Sequence, residues 1–89
     1  MDEFEIIEKL KSLTNSTEVY HVTTFELFRT RPDGLHQEVV VKVMDRGPKD
    51  AALRYHVAAE ANDGRTATGN SGPDLDEVLT FVHWFDLDK

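Results

Sequence analysis

Three stretches of this chain alternate apolar and polar residues with a period of two, and each is closed by a turn. The first, 18–31 (EVYHVTTFELFRTR), is rich in β-branched and aromatic types and reads as a strand. Pro32-Asp33-Gly34 follows. Pro presets φ for a type I turn, Asp tolerates the next position, and Gly takes the left-handed one, which makes a three-residue hairpin loop. The second strand is 35–45. Residues 46–50 (RGPKD) turn the chain into a third strand over 51–61. Asn62-Asp63-Gly64 is another turn, and 65–68 is read as a short fourth strand folding back.

A three-residue loop places Arg31 opposite Leu35, so odd residues oppose odd residues. Leu35, Val39, Val41 and Val43 share one face with Phe25 and Leu27, and this is the expected core face. On the third strand Leu53, Tyr55, Val57 and Ala59 oppose Arg54, His56, Ala58 and Glu60. The even, wetter face then carries Tyr20, Val22, Phe28, Val40 and Met44 among Glu26, Glu38, Lys42, Arg54 and Glu60. Pairing Asp45 with Ala51 sets Val40 against His56 and Glu60 against His36.

The flanks have helical period. In 2–13 (DEFEIIEKLKSL) the residues Phe4, Ile7, Leu10 and Leu13 are read as one stripe with Ile6 beside it, and Asp2 with Glu5 as a cap. In 74–87 (DLDEVLTFVHWFDL) the stripe is Leu75, Val78, Leu79, Val82 and Phe85. Phe81 and Trp84 sit at its margin and are expected to seal the helix contacts. Two amphipathic helices and a half-buried antiparallel sheet need each other. The expected fold is one two-layer α+β domain over 1–89, α-β-β-β-(β)-α, with both helices on one face.

This element order resembles that of the double-stranded-RNA-binding domain, in order alone. The resemblance implies a basic start to the last helix, where phosphates are gripped. Here that helix opens Asp74-Leu75-Asp76-Glu77, which repels them, so nucleic acid is not the expected partner. The formal net charge is −7, and 74–89 alone holds five acids and one Lys.

Composition excludes other chemistry. There is no cysteine, hence no disulfide, thiolate nucleophile or sulfur-ligated zinc. No apolar run approaches the ~18–20 residues of a membrane span, and Met1-Asp2-Glu3 is the opposite of a cationic signal-peptide start, so a cytoplasmic protein is expected. The four histidines (His21, His36, His56, His83) have no metal-ligand spacing, and His21 is expected in or near the core. Ser12, Ser16 and Ser71 lack a nucleophile-elbow context. Gly69-Asn70-Ser71-Gly72 reads as a loop with a helix cap rather than a phosphate cradle. No catalytic, cofactor or metal residues are assigned.

Three functional readings remain. The first is a non-enzymatic interaction module, a homodimer or accessory subunit docking through Tyr20, Val22, Phe28, Val40, Met44, His36, His56 and Arg54 on the open sheet face. The second is an acidic inhibitor or nucleic-acid mimic carried by Asp74, Asp76, Glu77, Asp86 and Asp88. The third is a small-molecule or enzymatic site around His36, His56 and Glu60.

Overall fold

A computed structural model describes all 89 residues, Met1–Lys89. The protein is an α+β domain with one open antiparallel sheet of four strands, β1 (His21–Thr30), β2 (His36–Asp45), β3 (Tyr55–Ala61) and β4 (Thr66–Thr68), in the order β1-β2-β3-β4. The helices are α1 (Glu3–Thr14) and α2 (Leu75–Thr80), and 3₁₀ turns cover Pro48–Leu53 and Trp84–Asp88.

The first hairpin forms as its residues dictate. Arg31 N–H donates to the Leu35 carbonyl at 2.8 Å, the Asp33 carboxylate accepts from Leu35 N–H, and Gly34 has φ 87°. All ten residues of β1 then pair with β2 without a bulge, from His21 opposite Asp45 to Thr30 opposite His36.

The β2–β3 register differs from expectation. Residues 51–54 are not strand, because Pro48 offers no N–H and starts a 3₁₀ turn through Leu53. β3 therefore begins at Tyr55, opposite Asp45, four residues later than the sequence suggested. An even slip keeps every side chain on its face. Arg46 N–H closes the loop on the Arg54 carbonyl at 2.9 Å. Arg54 then grips Asp45 with both prongs, Nε to Oδ1 at 2.8 Å and Nη2 to Oδ2 at 3.1 Å.

The expected helix over 74–87 is two pieces. Asp74 caps α2 by accepting from the N–H groups of Asp76 and Glu77. The helix stops at Thr80, where a run of β-branched and aromatic residues (Thr80-Phe81-Val82-His83-Trp84-Phe85) disfavours helix. His83 N–H leaves the helical pattern for the Thr68 carbonyl at 3.1 Å, which turns Val82 into the core.

The core consists of Val39, Val41, Val57, Ala59, Ala61, Ala67, Val78, Val82 and Leu87. It sits over β2, β3 and β4, under α2 and the last 3₁₀ turn. At one end of the sheet Gln37, 1 % exposed, is fully engaged: its amide donates to Asp63 and to the Leu87 carbonyl and accepts from Arg29. Arg29 also pairs with Asp88 at 2.6 Å, so the C-terminal segment is pinned across β1 and β2 there.

At the opposite end α1 is capped by Asp2, which accepts from Glu5 N–H at 2.8 Å, and terminated by Asn15 in the left-handed conformation. Phe4 rests on Gly47, Glu8 reaches Lys49, and the Arg54 guanidinium lies between the rings of Phe4 and Tyr55. Tyr55 belongs to the odd face, so α1 approaches on the same side as α2.

Expectations about burial are corrected at several positions: Leu35 is 59 % exposed and Phe85 59 %, so neither is core, and Phe81 is 70 % exposed and does not seal the helix contacts. Phe25 and Leu27 are on the core face yet 56 % and 36 % exposed, because α2 is too short to reach β1. His21 is exposed rather than in the core. The α1 stripe also does not hold. Steps of three residues fall about 60° short of a full turn, so Leu13 ends opposite Phe4, and only Ile7 of the helix is buried.

Two outcomes are expected in unfolding measurements. Gly47 has φ 92° and ψ 169°, a region essentially reserved for glycine, and a Cβ there would meet Phe4 Cδ1 at 3.2 Å. Gly47→Ala should cost about 1–3 kcal/mol in urea unfolding. Burial raises the Asp45 carboxyl, but hydrogen bonds from Arg54 and Gly47 N–H outweigh it and leave it below the usual 3.8. A carboxylate with a lowered folded-state value stabilises the fold above its unfolded value, and that contribution is lost as pH falls through the folded value. Stability should therefore fall on acidification below pH 3.8. Asp45→Asn should be less stable at neutral pH and show a shallower acid limb.

Candidate functional site

The residues expected on the even face are outward and uncovered where it matters most. Phe28 is 74 % exposed with Val40 exposed diagonally across from it, and Val22 is exposed six residues away at the other end of the strand. Met44 is half-buried in a row with Val22 and His56. Tyr20 is already occupied: its hydroxyl accepts from Arg46 at 2.8 Å and donates to Glu18, and the Arg46 guanidinium covers its ring. Arg54 does not join this face, since it precedes β3 and turns to Asp45. Three glutamates interleave the apolar residues, because Glu26 and Glu60 flank Val40 and Glu38 opposes Phe28.

The histidine cluster does not assemble. His36 opposes Thr30, beyond the end of β3, and Glu60 opposes Val40, so His36 and Glu60 are not partners. His56 instead lies between two hydroxyls, Thr68 at Nε2 and Ser71 at Nδ1, each at 3.2 Å. Both ring nitrogens are spent on hydroxyls, and no carboxylate orients the ring as a general base requires. No group of three or more His, Asp or Glu is placed to hold a metal ion.

The acidic set is divided by its own duties. Asp74 is the α2 cap, Asp88 is paired with Arg29, and Asp86 is paired with Lys89 at 2.9 Å. Asp76 and Glu77 remain at the start of α2, where they favour the helix dipole.

The structure also shows a surface that the sequence reading passed over. On the core face, between β1 and α2, lies an open groove of about 450 Å³, and seven of its eight lining residues are hydrophobic. Phe25 and Leu27 form one wall, Val41 and Val43 the floor, and Leu75, Leu79 and Trp84 the other wall. Trp84 is held in place by its indole N–H, which donates to the Leu79 carbonyl at 2.9 Å. The readable signal was the helix-poor run after Thr80, which shortens α2 and so leaves β1 without a roof.

β1 therefore lies bare on three sides, with the groove above it, the Phe28 patch below it and an open edge beside it. The hairpin bond from Arg31 fixes which backbone groups face β2, namely those of odd residues. The N–H and C=O groups of Val22, Thr24, Glu26, Phe28 and Thr30 point away from the sheet, without a strand to pair with. No helix is long and apolar enough to cross a membrane. Comparison of the chain with protein-family models, with curated proteins and with solved structures finds no match in any of the three.

Proposed function

We propose that this chain is a non-enzymatic protein-interaction module of the cytoplasm that works as a homodimer, with β1 as the contact. The observation that carries the reading is β1 itself, ten residues long and without one buried side chain. Edge strands are ordinarily blunted by Pro, Lys, a bulge or shortness. β1 has no Pro, Lys or bulge, carries charge only at Glu26 and Arg29, and pairs with β2 without interruption.

The strand is also self-complementary. Antiparallel pairing with a second copy about Phe25 sets Val22 opposite Phe28 and Thr24 opposite Glu26 through the free even backbone groups. It sets Phe25 opposite Phe25 and Thr23 opposite Leu27 on the groove side. A two-residue shift one way would bring Glu26 against Glu26, so like charges disfavour that register. Such an interface is isologous and closes as a pair.

The acidic-mimic reading has less support, since Asp74, Asp86 and Asp88 are engaged within the chain. The dispersal of His36, His56 and Glu60 likewise favours binding over catalysis. Nucleic acid is disfavoured by the carboxylates that open α2.

Sedimentation velocity tests the proposal. At tens of micromolar the protein should sediment at twice the 10.1 kDa chain mass. Thr24→Pro removes an outward N–H and leaves the β1–β2 ladder intact, so it should give a folded 10.1 kDa monomer. A wild-type protein that stays monomeric throughout that range overturns the reading.

A further inference from the structure

The end of the sheet around Gln37 holds the last 3₁₀ turn as a receptor holds a peptide. His83 N–H to the Thr68 carbonyl is the final main-chain hydrogen bond from this part of the chain to the sheet. Side chains take over from there. Three consecutive main-chain oxygens are each held by a different residue: Leu87 by the Gln37 amide at 2.9 Å, Asp88 by Arg31 Nη2 at 3.4 Å, and Lys89 by Arg65 Nε. Arg29 takes the Asp88 carboxylate, and the Leu87 side chain, 3 % exposed, enters the core.

The donors are aimed without help from the segment they hold. Asp63, on the turn between β3 and β4, accepts from Arg65 at 2.9 Å, from Gln37 at 3.0 Å and from Arg31 at 3.5 Å. Arg31 is also paired with Asp33 at 2.9 Å, and Arg29 is steadied by the Gln37 side-chain oxygen at 2.8 Å. Arg31 and Gln37 are both buried. Apolar residues would serve packing better at such positions, because a buried polar group is costly unless it has a partner. Arg31 Nε is buried with no partner, so the resident segment leaves one donor of the cradle unused.

We propose that this end of the sheet is a peptide-binding site for an acidic segment in which an apolar residue precedes Asp, and that residues 84–89 occupy it as an internal stand-in. The site has three parts. An apolar pocket takes the first residue, Arg29 takes the carboxylate of the next, and Gln37, Arg31 and Arg65 grip successive main-chain oxygens. Main-chain contacts read no sequence, so the apolar residue and the Asp carry the selectivity. A segment from another chain with the same pair of residues competes with the resident one, whose advantage is its tether. The inference goes beyond the β1 contact and does not rest on it: peptide capture tests this site, and sedimentation tests that one.

A fluorescent peptide with the sequence of residues 83–89 (HWFDLDK) is titrated against the full chain. Asp88→Ala loosens the resident segment and leaves every donor in place. It should capture the peptide at least about tenfold more tightly than the wild-type chain does. Alanine in the peptide at the position of Leu87 or of Asp88 should weaken that capture by a similar factor. A folded Asp88→Ala chain that leaves the peptide free at hundreds of micromolar overturns the proposal. Equal capture of the alanine peptides also overturns it, since that is apolar adhesion alone. Hydrogen exchange on the wild-type chain needs no variant. Residues 84–88 should open while the amides of β2 and β3 stay protected, and a single common rate for segment and sheet would show a fixed part of the core and sink the idea.

Discussion

One hydrogen bond at the mouth of a three-residue loop sets the parity of the sheet. Arg31 N–H to the Leu35 carbonyl makes odd residues of β1 and β2 the pair that bonds across the hairpin. The even residues of β2 must then bond to β3, as Asn62 N–H to the Glu38 carbonyl and Arg46 N–H to the Arg54 carbonyl confirm. The same alternation decides which side chains face α2 and which backbone groups are left at the free edge. Core, groove and edge are three readings of one periodicity.

The core that results is small-boned. Leu87 is its largest aliphatic residue, and the rest are Val and Ala. Alanine on β3 and β4 lets α2 and the C-terminal turn come close, but only over half the sheet. Larger apolar residues, Phe25, Phe28 and Leu27, are spent on β1 where they touch little. In most small domains large side chains fill the interior because they contribute most to burial. The inversion here is the physical basis for regarding β1 as built for contact with another chain.

Strand alternation, hairpin chemistry and caps were legible in the sequence, because each depends on neighbours a few residues apart. Pro32-Asp33-Gly34, Asp2 with Glu5, and the short return over 66–68 all behave as their residue types require. What escaped was length and reach. Nothing local in 51–54 announced that Arg54 would turn to Asp45 and delay β3 to Tyr55. Val82 and His83 leave the helix to satisfy β4, a partner fourteen or more residues earlier in the chain. The stripe of α1 failed for a different reason, since three-residue spacing mimics helical period over one turn and drifts away over three. The alternation therefore points to the even face as the open one, whereas the short α2 opens an apolar groove on the other face as well.

The free edge also makes the two sets of β1 amides unlike. Odd amides are locked to β2, and even amides face solvent, so in the lone chain hydrogen exchange would alternate residue by residue along the strand. Whatever comes to lie against that edge would erase the alternation from the even residues alone. The strand thus contains a built-in ruler of its own occupancy, graduated at Val22, Thr24, Glu26, Phe28 and Thr30.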